Sequence, residues 1–187
     1  MTEKTVELKA GVLLVAPPVM ADPNFRRSVV LLCDHDDEGS FGLILNRPLK
    51  VEEVELSQQL DGYMNGLSFG GPVQPNTLHF IHQLGDYIED GEHITDSMFW
   101  GGDFDHLKRV AATRPLQRAD LKFFLGYSGW SEGQLEAEAA DGAWIIAPSS
   151  AEIVFEVAPE KMWSTVLRRL GGEYAWIANF PADPRLN

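Results

Sequence analysis

Short apolar runs recur along the chain, separated by breaks rich in glycine, proline, asparagine and acids. The periodicity predicts strands at Val12 to Ala16, Ser28 to Asp34, Phe41 to Asn46, Thr77 to His82, Met98 to Trp100, Leu121 to Tyr127 and Ala143 to Ala147. Helices are expected between them. Asp103 is placed to cap one through about Thr113, Ser131 one through about Ala140, and Pro159 opens a third that runs to Leu170. Gly171 and Gly172 supply the left-handed stop after it. A weaker helical pattern covers Val51 to Leu60, and Leu67 to Pro75, LSFGGPVQP, reads as a joint. Strands interleaved with helices give an α/β or α+β fold with a mixed sheet, helices covering both faces, and room for a small lobe.

The stretch FRRSVVLLCDHDDEGSFGLILNRP, Phe25 to Pro48, reads as a hairpin around an acidic loop. If Asp34 faces Ser40, then Cys33 faces Phe41, Leu31 faces Leu43 and Val29 faces Leu45, all on one side. Val30 and Ile44 meet on the other. Apolar residues on both faces mark an interior pair rather than an open meander. The same register sets Ser28 opposite Asn46 and Arg27 opposite Arg47, and like charges directly opposed require a compensating group.

Composition narrows the picture. At 187 residues, 44% hydrophobic, with five tryptophans and ten phenylalanines, the chain can bury a core as a single domain over 1–187. No run approaches the roughly twenty apolar residues that span a bilayer, and the N-terminus lacks a secretory h-region. A cytoplasmic location is the expectation. Cys33 stands alone inside an apolar run, so a packing role is expected of it rather than a disulfide or thiolate metal site. The net charge of -13 disfavours direct nucleic-acid binding, which rests largely on Lys and Arg contacts to phosphate. Arg26-Arg27 and Arg168-Arg169 are too short to form a basic stripe.

Two readings answer the arginine pair. In one, carboxylates such as Asp22 or Glu52 fork onto the guanidinium groups and pin the hairpin ends, as arginine geometry favours. In the other, Arg27, Arg47 and the Asn46 amide line a pocket for a phosphate or carboxylate. With 28 acids in the chain, the internal pairing is preferred.

Other motifs fall short of chemistry. DHDDEG, Asp34 to Gly39, starts like a calcium loop but has Leu45 where the bidentate glutamate belongs, so it reads as a solvated tip. A spacing of three on a strand sends His79 and His82 to opposite faces, which argues against zinc. FGGPVQP offers glycine N–H groups to an anion, yet no GK[ST] follows and a tight turn is the default. Gly126-Tyr127-Ser128-Gly129-Trp130 misses the nucleophile elbow at Trp130, and all five histidines precede Ser128. Ser131 with Gln134 reads as a capping box. Glu132 and Glu136, four apart, present a solvated acidic face or a strip for a cation or basic partner.

DPNFRRSVVLLCDHDDEGSFGLILNRPL, FGGPV and LGYSGWSEGQLEAE, in this order and spacing, resemble the AlgH/YqgE family of small bacterial proteins across essentially the whole chain. The resemblance implies a compact mixed α/β fold, and it brings the family's label of transcriptional regulator with an unsettled biochemical activity. Matching positions include Asp22, Pro23, Arg27, Ser28, Asn46, Arg47, Gly70, Gly71, Gly126, Tyr127, Gln134 and Glu136. Members commonly carry alanine where Ser128 stands, and the chain departs from the pattern at QPNTLHFIH and at its C-terminus. The expectation is a cytosolic binding or regulatory module that acts on transcription only indirectly, without cofactor or metal, whose partner is a protein or a small anionic ligand. An enzyme for a small anionic substrate is the alternative. In either case the candidate ligand-binding residues are Arg27, Asn46, Arg47, Gly70, Gly71, Gln134 and Glu136.

Overall fold

The computed structural model describes residues 6–50 and 67–181. The helix expected over Val51 to Leu60, and Glu52 with it, lie outside those residues. Among the described residues nine strands form one sheet: β1 (Val12–Val15), β2 (Val29–Asp36), β3 (Gly39–Ile44), β4 (Leu67–Phe69), β5 (Val73–His82), β6 (Glu92–Thr95), β7 (Met98–Trp100), β8 (Leu121–Ser131) and β9 (Ile145–Pro148). Helices α1 (Phe104–Thr113), α2 (Gln134–Ala140), α3 (Pro159–Leu170) and α4 (Gly172–Ile177), with a π-helical turn at Glu152–Glu156, complete a mixed α+β architecture. The strand order is β6-β7-β5-β8-β3-β2-β1-β9, antiparallel throughout, while β4 pairs parallel with β8.

The sheet curls into a half-barrel. Its outermost strand β6 returns against the turn before β1, where a Cβ on Gly11 would stand 2.7 Å from that of Thr95. Ile94 and Met98 thereby join the same core as Leu13, Val15, Leu31 and Leu43. That face is covered by α3, whose Met162, Trp163, Val166 and Leu167 form its apolar stripe, and by Ile153, Val154 and Phe155 of the π-helical turn. Trp163 Nε1 donates to the Ala16 carbonyl oxygen at 2.8 Å, which pins α3 to the end of β1.

The opposite face, with Leu14, Val30, Leu32 and Ile44, is closed differently from the expected layer of helices. Trp130, Trp144 and the loop residues Val6, Leu8, Met20 and Phe25 cover it, and α2 contributes only Leu135. Aromatic loop side chains supply the area that a longer helix would otherwise bury. Leu107 of α1 packs with Phe80, Phe123 and Ile88 in a third cluster.

The hairpin is interior, since β1 flanks β2 and β8 flanks β3. Val30 faces Ile44 and Leu31 faces Leu43 as the pattern predicts, but the register shifts at Cys33, so Asp34 faces Phe41 and His35 faces Ser40. The cause lies at the tip. The Asp36 carboxylate accepts the N–H groups of Glu38 and Gly39 at 2.8 and 3.1 Å, closing a two-residue turn one step out of register with the core pairs. A bulge at Cys33 absorbs the difference. Cys33 stays buried, and burial followed by the Asp34 charge pushes its thiol far above the ordinary range.

Other boundaries differ for local reasons. Asp103 caps α1 by accepting from Asp105 and His106 N–H, as expected. Ser131 does not cap α2; it ends β8, and Gly133 in the left-handed region precedes the helix. Gly171 stops α3, but Gly172 begins α4. The strands β4 and β6 are too short to show a period in the sequence.

Candidate functional site

Asn46 shapes the open end of the hairpin. Its Oδ1 accepts the Val29 N–H at 2.9 Å and its Nδ2 donates to the Arg27 carbonyl oxygen at 2.9 Å. The carboxamide thus replaces a peptide group in the ladder just where the strands part, while Leu45 N–H still reaches Val29 O. Arg27 sits at φ 54°, a left-handed conformation that costs a non-glycine residue about 1–2 kcal/mol, and the Asn46 bond holds its carbonyl there.

Among the described residues the two guanidinium groups meet backbone oxygen and an aromatic face, not carboxylates. Arg27 Nη1 donates to Phe180 O at 2.8 Å, with its Cζ 3.8 Å from the Trp163 ring centroid. Arg47 Nη2 donates to Arg26 O. Asp22 accepts the Asn24 N–H within its own turn. The expected fork from Asp22 is therefore absent, and among the described residues neither arginine forms an ion pair. The carbonyl oxygens answer the like-charge problem because a guanidinium offers five donors and tolerates partial desolvation. Burial holds both arginines below their ordinary pKa.

Gly70 and Gly71 lie where two backbones cross. A Cβ on Gly70 would sit 2.2 Å from Gly126 O, and one on Gly71 2.2 Å from the Tyr127 carbonyl. Gly70 N–H donates to Leu125 O, while its carbonyl accepts from Ile44 N–H and from the Ser128 hydroxyl. The FGGPV and LGYSG motifs therefore explain each other as a close crossing, and the Gly70 amide is not free for an anion.

Gln134 and Glu136 belong to the other end of the hairpin, eight residues along β2, roughly 25 Å away. Glu136 lies 3.8 Å from His35 Nε2. Gln134 Oε1 accepts from the N–H and hydroxyl of Ser131, and its Nε2 donates to Glu138 Oε1 at 2.8 Å. Glu138 Oε2 then takes both indole N–H groups, from Trp130 and Trp144, each at 2.9 Å. The seven candidate residues do not converge on one cleft. Glu138 was missed, although its position four after Gln134 on a helix was the available signal. No sequence signal marks Trp163 or Phe180 as partners of Arg27.

The histidines divide as the strand period requires. His79 packs against Phe41 and Tyr127, and burial lowers its pKa. His82 accepts Leu84 N–H on Nδ1 and contacts Gly101 O through Nε2; burial lowers its pKa against the opposing effect of that carbonyl. Among the described residues no group of three or more His, Cys, Asp or Glu gathers as a metal ion would need. No helix there is long and apolar enough to cross a membrane. On α4, Trp176 is 69% exposed, and its ring meets that of Phe180 edge-on at 4.9 Å.

A model of the AlgH-like family matches residues 13–175. A UPF0301 protein of Chlorobaculum tepidum is 43% identical over 187 residues, covering all of both chains. One from Cytophaga hutchinsonii is 45% identical over 183 residues, covering 96% of this chain and 100% of its own. The solution structure of the AlgH protein from Pseudomonas aeruginosa has a TM-score of 0.69 at 31% identity, covering 95% of this chain and 98% of that one. A crystal structure from Corynebacterium diphtheriae reaches 0.76 at 22% identity, covering 96% and 95%, and shows the shared fold.

Proposed function

The chain belongs to the AlgH-like family, and on that premise we propose that it is a cytoplasmic binding and regulatory module that works by contact with a protein partner. One observation carries this reading. Among the described residues the polar groups of the hairpin motif bond to backbone groups of the protein, and what they support is an exposed aromatic pair: Arg27 holds the Phe180 carbonyl beside Trp176. Tryptophan and arginine are the residue types that most often dominate protein contacts. The net charge of -13 fits a role on transcription exerted through that partner rather than on DNA.

The alternative, turnover of a small anionic substrate, would need Arg27, Asn46 and Arg47 to face an open cleft with a base within hydrogen-bond reach. Their bonds run to backbone groups instead. The test is a photo-crosslinking benzoylphenylalanine at position 176 in living cells, compared with one at Lys108 on α1. A discrete protein adduct at 176 and none at 108 is the expected result. No adduct at 176, or the same adducts from both positions, would overturn the reading.

A further inference from the structure

A hollow of about 210 Å³ lies where the end of β9, the following serines, the π-helical turn and the last turns of α3 meet. Its floor is apolar: Ala147, Ile153 and Val166 are buried there, with Leu170 beside them. Its polar lining comprises Ser149, Ser150 and Arg169. The wall carries a backbone irregularity. Val157 N–H reaches back five residues to Glu152 O at 3.2 Å, and such wide turns occur frequently at functional sites.

Counting donors and acceptors defines what the hollow can hold. The Ser149 hydroxyl donates to Gly11 O and is spent. Ser150 Oγ accepts the Ile153 N–H at 3.3 Å, and its own O–H has no protein acceptor among the described residues. Arg169 places Nη1 and Nη2 on the Glu152 carboxylate at 3.1 and 2.6 Å, and its Nε–H and two outer N–H bonds have no acceptor among the described residues. Both Glu152 oxygens are thereby engaged. The lining thus offers spare donors beside an apolar floor, while the Glu152 carboxylate is already held by Arg169. An amine would set a second cation beside Arg169 with only neutral serine oxygens to accept from it. An acid with a short hydrocarbon body finds both, and the hollow is smaller than the roughly 300 Å³ at which drug-sized sites begin.

We propose that this hollow binds a small aliphatic monocarboxylate, with its hydrocarbon on Ala147, Ile153, Val166 and Leu170 and its carboxylate held by the Ser150 hydroxyl and the Arg169 guanidinium. The site does not use the Trp176 surface, so its test stands independently of the protein-partner reading.

The test uses the full chain, isotope-labelled, titrated with isovalerate, with 3-methylbutanol and 3-methylbutylamine as probes of the same carbon skeleton. Saturable amide shifts at Ser150, Ile153 and Val166 are expected, with the acid about tenfold tighter than the alcohol, as one charge-assisted pair supplies. The amine should produce none. Arg169→Gln should remove the preference for acid while leaving alcohol binding unchanged. Glu152→Gln should strengthen acid binding several-fold, because it removes the competing carboxylate while leaving the guanidinium in place. A preserved amide spectrum in each variant separates loss of binding from loss of fold. Absence of saturation across the millimolar range, equal affinity for acid and alcohol, or weakening by Glu152→Gln would overturn the proposal.

Discussion

Arg27 lays its guanidinium 3.8 Å over the Trp163 ring and donates to Phe180 O, so one cation ties the entry of β2 to α3 and to the segment after α4. Arg27→Ala removes a cation–π contact and a hydrogen bond that together contribute about 1–3 kcal/mol. For a chain of this length that lowers Tm by roughly 2–12 °C. Arg27→Lys should recover only part of the loss, because an ammonium cannot lie flat on the indole while reaching the carbonyl. Thermal unfolding followed by circular dichroism decides it. Equal Tm in parent and alanine variant would show that this tie carries no stability.

The glycine crossing makes a sharper demand. A Cβ on Gly126 would lie 2.4 Å from Gly71 O, and the residue sits at φ 67°. Gly126→Ala therefore meets both a clash with rigid backbone and a left-handed conformation. A loss of about 2–5 kcal/mol is expected, from 1–3 kcal/mol of overpacking plus 1–2 of backbone strain. Gly133 is also left-handed but has nothing within 4 Å of its added Cβ, so Gly133→Ala meets only the backbone penalty. Urea midpoints of the two variants should differ clearly, and coincident midpoints would refute the crossing as a packing constraint.

The contrast shows which features the sequence made legible. The two-sided hairpin could be read because Val30, Leu32 and Ile44 alternate with Val29, Leu31 and Leu43, and both sets are apolar. The α1 cap could be read because Asp103 acts on N–H groups two and three residues away. Long-range partners were hidden. Arg27 meets a carbonyl 153 residues later, and a carbonyl carries no side-chain signature. A one-residue slip is compatible with the pattern, but its place is hidden because Asp36 imposes it at the tip, where any acidic residue looks merely solvated. Nor does any period reveal that FGGPV and LGYSG touch.

Glu138 gathers three donors, one from Gln134 and two from the indoles of Trp130 and Trp144. Glu138→Ala leaves both indole N–H groups without an acceptor on a face that is otherwise apolar. The expected cost is about 2–4 kcal/mol, since each orphaned donor carries a desolvation penalty of roughly 1–3 kcal/mol, relieved where water enters. Tryptophan emission should shift to longer wavelength, and two indole N–H resonances should begin to exchange with solvent. Unchanged indole resonances would mean that other groups hold the rings.

Lys122 supplies a prediction whose sign depends on pH. It lies on β8 opposite Ile81, and no hydrogen bond or ion pair holds its ammonium among the described residues. Burial, and then repulsion from Arg118, lowers its pKa from 10.5 to about 8. Between those values the unfolded chain binds more protons than the folded one, so stability rises with pH across the window; below pH 8 the full cost is carried. Lys122→Met should therefore raise stability at pH 7 by about 1–3 kcal/mol, with the gain shrinking toward pH 10.5 as the parent sheds the same proton in both states. Paired urea titrations at pH 7 and pH 10 read the difference directly, and any pH-independent packing gain from methionine cancels between them. A gain of equal size at both pH values would show that Lys122 is not buried as a strained cation.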